Sequence, residues 1–154
     1  MIRLERTGDV ELVASIMRHP RLYPHIADDF YPAPEVFRPL SGGAIVHLLA
    51  YDGAALLGVV ITHPINAVLW EVHHALLPCA WGERAHRVAL EAEEWIWRNT
   101  LAATICGFTP ECNKLALKFA RRHGGRAVGR IPNAIQRGGK LHDLIVFAKS
   151  RNAN

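Results

Sequence analysis

Three side chains able to move a proton lie close together in the run VLWEVHHALL, residues 68–77: Glu71, His73 and His74. Imidazole changes charge between pH 5 and 8 and suits a general base, whereas a carboxylate needs burial to bring it into that range. Any of the three could take a proton from an attacking nucleophile, directly or through a water. The plainer reading is that each is a strand residue hydrogen-bonded to a neighbour. If the run is a strand, Glu71 and His73 share one face and His74 takes the opposite one.

The run ends at Pro78, and CAWGERAH leads into a segment with helical spacing. A strand that breaks and opens into a helix leaves backbone N–H groups free to hold a phosphate, the layout of a nucleotide or coenzyme site. A second strand, break and helix follow in TICGFTPECNKLALKFARRHGG, residues 104–125.

The elements around these two units are legible in outline. Ile2 to Arg6 alternates as a strand, and Thr7 or Asp9 can cap a helix through Arg18 with Val10, Val13, Ile16 and Met17 on one face. Leu22 to Phe30 and the Pro-rich YPAPEVFRPLSGG predict an irregular surface loop with one helical turn around His25 to Asp29. Ala44 to Tyr51 and Ala54 to His63 read as a hairpin turning at Asp52 and Gly53. Ala67 to Leu77 is a further strand, Glu83 to Thr100 a long helix, Ala103 to Phe108 a strand and Pro110 to His123 a helix stopped by Gly124 and Gly125. Arg126 to Pro132 and Leu141 to Lys149 predict a closing antiparallel pair, turning at Gly138 and Gly139.

Composition bounds the answer. The 154 residues make one domain, 1–154, and half of them are hydrophobic, so a packed core is expected. No apolar run approaches the ~20 residues of a membrane span, and the opening residues do not read as a signal peptide. Cys79, Cys106 and Cys112 lack CxxC spacing, which predicts buried, reduced thiols and a cytoplasmic setting. No metal is expected, since His63, His73, His74 and Cys79 follow no known ligand spacing. A Cys79 and histidine nucleophile pair lacks a surrounding motif, and Trp81, Trp95 and Trp97 read as packing residues, not a base-stacking platform. Charge is uneven: residues 1–98 carry eight Lys or Arg against twelve Asp or Glu, and residues 111–154 carry ten against two. The basic end could face a phosphorylated coenzyme, an acidic protein or nucleic acid, or be a solvated face.

The element order and the two strand-break-helix units resemble the GNAT superfamily of N-acetyltransferases over essentially the whole chain. Leu76, Leu77 and Pro78 fit the end of that family's fourth strand, and Trp81 and Gly82 stand where its Arg-Gly pair would be. Arg84 and His86 fall at the positions of the later glycines. In the second unit Asn113, Ala116 and Gly124 match the family spacing, Ala120 takes the place of the common tyrosine, and Gly125 replaces a Phe. The TPECN lead-in resembles branches that act on protein termini or are encoded by phages.

The resemblance implies an α/β fold: a central mixed, mostly antiparallel sheet of about seven strands flanked by about four helices and splayed between strands four and five. It implies acetyl-CoA as cosubstrate, held by Leu76, Leu77, Trp81, Gly82, Glu83, Arg84, Ala85, His86, Asn113, Ala116 and Phe119. Arg84 or Arg87 could meet a phosphate, Asn113 would bond the pantetheine arm or else cap its helix, and a backbone N–H at Leu76 or Leu77 would face the oxyanion. Glu71, His73 and His74 are the candidate bases. The amine acceptor, a protein lysine or N-terminus in preference to a small molecule, would enter beside residues 22–43 and the 132–142 hairpin. No membrane partner is implied, while a homodimer stays open. The alternative is a GNAT-like binding or structural module without chemistry, with the basic end as its partner surface.

Overall fold

The computed structural model describes residues 1–151. One sheet runs through the chain, built from β1 (Ile2–Thr7), β2 (Val46–Asp52), β3 (Ala55–Pro64), β4 (Leu69–Leu76), β5 (Thr104–Pro110), β6 (Arg126–Arg137) and β7 (Lys140–Ser150), in the order β1-β2-β3-β4-β5-β7-β6. Among the described residues only β4 and β5 are parallel neighbours; every other adjacent pair is antiparallel. The helices are α1 (Val10–Met17), α2 (Tyr23–Ile26), α3 (Glu83–Asn99) and α4 (Lys114–Arg122). This is the mixed, mostly antiparallel sheet with four helices that the family resemblance implies.

Helices α1 and α3 cover opposite faces of the sheet. Asp9 caps α1 by accepting the Leu12 N–H at 2.9 Å, a contact of the kind worth ~1 kcal/mol. Val13, Ile16 and Met17 then pack on Leu49, Val59, Ile61 and Ala75. On the other face Val88 and Ala92 of α3 meet Leu48, Leu57, Val60 and Leu76. Ala75 and Leu76, adjacent on β4, therefore belong to different cores, as the two-residue period of a strand requires. Gly58 brings β3 hard against the end of β4: a Cβ there would lie 2.4 Å from the Ala75 carbonyl oxygen.

Four expectations are corrected. The β2–β3 hairpin turns on Gly53 and Ala54, one residue later than predicted, since Asp52 still pairs with Ala55 and Gly53 supplies the positive φ of 60°. Residues 22–43 are not simply a surface loop: Leu22, Tyr23 and Phe37 are buried in the α1-side core, and the helical turn comes earlier, at Tyr23–Ile26. Strand β6 runs past Pro132 to Arg137 because an irregularity between Ile131 and Ile135, with Asn133 at φ 51°, absorbs the proline. Of the cysteines only Cys106 is buried; Cys79 and Cys112 are exposed.

Candidate active site

β4 and β5 pair at just three positions, Leu69 with Thr104, Trp70 with Ile105 and Glu71 with Cys106. Beyond them β4 follows β3 as far as Leu76 opposite Gly58, while β5 follows β7 as far as Pro110 opposite Leu144. The two strands part, and a crevice of about 690 Å³ opens between them, lined by both strands, by α4 and by residues of the 22–40 segment.

Leu77 donates its N–H to the Leu57 carbonyl at 2.8 Å. Backbone groups alternate sides along an antiparallel strand, so those of Leu76 face away from β3 and toward the gap. The Leu76 carbonyl there accepts the Trp81 indole N–H at 2.8 Å. Of the two expected oxyanion donors, Leu77 is thus engaged and Leu76 has its N–H directed into the crevice.

On the α1 face the crevice wall carries Glu71 and His73, with Nε2 of His73 3.1 Å from Oε1 of Glu71. His63, paired with Glu71 across β3, approaches its other oxygen at 3.5 Å. Burial pushes the Glu71 carboxyl up, but the hydrogen bond from His73 and the charges of His73 and His63 outweigh it and leave the group below its ordinary value. Phe30, Tyr31, Phe37 and Leu40 roof this side. The roof is tied down: Asp29 accepts the N–H groups of Gly138 and Gly139, each at 2.8 Å, and Arg137 donates to the His25 carbonyl at 2.8 Å. The 22–43 segment and the β6–β7 hairpin, both expected beside the acceptor, are joined to each other.

On the α3 and α4 face the wall is drier. His74 stands edge-on to Phe119, ring centroids 5.1 Å apart, and 5.9 Å from the ring of His123. Its Nε2 is buried with no hydrogen-bond partner among the described residues. Burial, reinforced by the charges of His123 and His73, pulls its pKa down to about 3. His123 falls to about 4, through burial and then the charges of Lys149 and His86. Behind it Lys149 donates to Glu93 at 2.6 Å; burial nevertheless dominates and raises the Glu93 carboxyl. These rings narrow the crevice without filling it.

Of the residues expected to hold a coenzyme, Leu76, Trp81, Gly82, Ala85, Asn113, Ala116 and Phe119 line the crevice, and Leu77, Glu83, Arg84 and His86 do not. Gly82, with φ 92°, is the N-cap of α3 and brings no side-chain cap, after a 3₁₀ turn at Pro78–Ala80, so the first-turn N–H groups of the helix stay available. Glu83 pairs with Arg122 of α4. Arg84 and Arg87 turn to Asp52, at 3.5 and 3.6 Å, which also takes the chain's amino terminus at 3.1 Å. Asn113 caps α4 through the Ala116 N–H at 3.1 Å, the helix-cap reading of that residue. Part of the basic end is likewise spent internally, Arg130 bridging Glu111 at 3.0 Å and Asp143 at 2.6 Å. His123, Glu93 and Lys149 were not legible as site residues, and His63, weighed in the sequence only as a metal ligand with His73, His74 and Cys79, was not legible as a partner of Glu71, because strand register and helix docking bring these residues in from distant sequence.

No family model and no curated protein matches the chain. Solved structures do. Spermidine N-acetyltransferase from Vibrio cholerae, in complex with CoA and spermine, superposes with a TM-score of 0.79 at 14% identity over 97% of this chain and 95% of that one. A GCN5-related N-acetyltransferase from Kribbella flavida gives 0.70 at 17%, over 97% of each chain. Arabidopsis thaliana NAA60 in complex with acetyl-CoA gives 0.69 at 17%, over 99% of this chain and 100% of the other. With the strand order and the parted β4 and β5, these likenesses establish that the chain has the GNAT N-acetyltransferase fold.

Proposed function

We propose that the protein transfers an acetyl group from acetyl-CoA to a primary amine, and that the amine belongs to a protein, as a lysine side chain or an N-terminus. The observation that carries this reading is the parting of β4 and β5 beyond Glu71 and Cys106. A gap between strands reaches both faces of a sheet at once, so a thioester threaded from the α3 side can meet an amine arriving on the α1 side.

Residue roles follow from the faces. Glu71 holds the His73 ring by accepting from Nε2, which leaves Nδ1 to take the proton of the attacking amine. The Leu76 N–H, aimed into the gap, is the donor for the charge that develops on the acyl oxygen. His74, kept neutral, offers its unpartnered Nε2 as a hydrogen-bond donor to the departing sulfur, which then takes a proton from solvent. This supplies in part what Ala120 cannot. First-turn N–H groups of α3 and the side-chain Nδ2 of Asn113, whose Oδ1 caps the helix, suit the coenzyme's phosphates and pantetheine arm.

Two features support a protein acceptor. Phe30 and Leu40 line the crevice mouth yet are 78% and 66% exposed, an apolar rim on which a peptide can lie. A small polyamine would call for several carboxylates, and on the α1 face of the crevice Glu71 is the one present among the described residues. The binding-module alternative draws on the capture of Arg84 and Arg87 by Asp52, which takes two cations away from the coenzyme loop.

Release of thiol from acetyl-CoA, measured with N-terminal peptides, lysine peptides and spermidine, tests both levels. Turnover with a peptide class is expected. Preference for spermidine would overturn the acceptor, and acetyl-CoA binding without thiol release from any amine would favour the binding module.

A further inference from the structure

His63, Glu71 and His73 come from two adjacent antiparallel strands and share one face, His63 directly opposite Glu71 and His73 two residues further along β4. One ligand atom from each lies within 4.8 Å of the others. The two imidazole rings run nearly parallel, centroids 5.7 Å apart and planes 24° apart, with the carboxylate reaching both: Oε2 to His63 Nε2 at 3.5 Å and Oε1 to His73 Nε2 at 3.1 Å. We infer that His63, Glu71 and His73 form a binding site for a divalent transition metal of the zinc class, whose occupancy blocks the His73 base and shuts off acetyl transfer.

Ligand chemistry and spacing both point that way. Two imidazoles and one carboxylate prefer zinc and its first-row neighbours over magnesium or calcium, which take oxygen sets. Bonds of 2.0–2.1 Å in a tetrahedron put neighbouring ligand atoms about 3.3 Å apart, close to the two contacts already present. Placement on paired strands makes the set rigid. The side chains are 22%, 16% and 46% exposed in chain order, so an ion can enter from water and keep an open fourth position.

The consequence for catalysis rests on the proposed acetyl transfer; metal binding itself does not. In the metal-free pair Nε2 of His73 carries the proton shared with Glu71, and Nδ1 accepts. A metal bonded to Nε2 must displace that proton, and a neutral ring then carries it on Nδ1, which becomes a donor. The base is lost without loss of the residue.

The test uses the full chain with Cys79→Ser and Cys112→Ser, because both thiols are exposed and would bind metal themselves. Cobalt(II) alone, titrated without coenzyme or amine, is expected to bind as one saturable equivalent with the visible absorption of a low-coordinate site, and zinc should displace it. His63→Ala, with its circular dichroism unchanged, and Glu71→Gln should each weaken binding at least about tenfold, since even outer-shell partners of a metal ligand cost that much. No saturable binding, or an affinity in either variant equal to that of the parent, overturns the site. In transfer assays zinc should inhibit the parent and spare His63→Ala; equal inhibition of the two overturns the regulatory role. If the protein proves to have no transferase activity, the cobalt titration still decides the site.

Discussion

His73 and His74 are chemically identical neighbours on β4, and the strand puts them into opposite environments. His73 faces the α1 side with a carboxylate 3.1 Å away and nearly half of its side chain in solvent. His74 faces α3 and α4 among Phe119 and His123, its Nε2 buried and without a partner among the described residues and its pKa pulled down to about 3. One region is wet and proton-exchanging, the other dry and held neutral. The difference teaches that in a parted sheet the function of a residue type is set by which face it takes, because the gap joins two media within one residue of chain.

That contrast can be broken first at its wet side. His73→Ala should lower kcat for thiol release on the order of 10²-fold with acetyl-CoA binding retained, the scale of a lost general base. Glu71→Gln, which acts through His73, should cost about tenfold in kcat with KM little changed. Equal losses in acetyl-CoA affinity would place both residues in binding and not in proton transfer.

On the dry side the sharpest test is pH. His123 has a folded pKa of about 4 against an ordinary 6.5, so the unfolded chain binds a proton that the native chain refuses. Stability is therefore full above pH 6.5 and declines as pH falls toward 4, by about 2 kcal/mol at pH 5. Denaturant melts of the parent and of His123→Phe at pH 7 and 5 check this, and the variant should lose about half of the slope, because His74, with a folded pKa of about 3, contributes the other part in the same direction. His74→Leu comes next: replacing an unsatisfied buried imidazole should raise stability by ~1 kcal/mol, roughly 2–4 °C in Tm, while kcat falls about tenfold. A destabilised His74→Leu would mean that the ring has a partner. The smallest effect belongs to the roof, where Asp29→Ala removes three hydrogen bonds from the β6–β7 hairpin, donated by Gln136, Gly138 and Gly139, and should raise the amine KM about threefold, leaving acetyl-CoA binding alone.

The separation of faces was legible in the sequence, since alternation along VLWEVHHALL already puts Glu71 with His73 and apart from His74. The Asp9 cap, the length of α3 and the Gly124 stop were legible for the same reason, being local chemistry. What stayed hidden depends on register and docking. No spacing along the chain reveals that His63 lies opposite Glu71, because that pairing is fixed by how β3 and β4 slide past each other over Gly58. Nor does spacing show that Asp52, at the end of β2, would draw Arg84 and Arg87 away from the segment proposed to hold the coenzyme. The reach of β6 beyond Pro132 was missed because a bulge tolerates a proline that a regular central strand excludes.

Acetyl transfer by this fold requires that the gap between β4 and β5 admit a pantetheine thioester. Thermal unfolding of the protein and of Ala116→Trp, which would plug the crevice from α4, measures this directly with acetyl-CoA, CoA and ATP. At a hundredfold excess over Kd the first two should raise the Tm of the unaltered protein by roughly 5–10 °C, with ATP giving little and Ala116→Trp abolishing the shift. No shift at millimolar acetyl-CoA, or an equal shift in Ala116→Trp, would contradict the account.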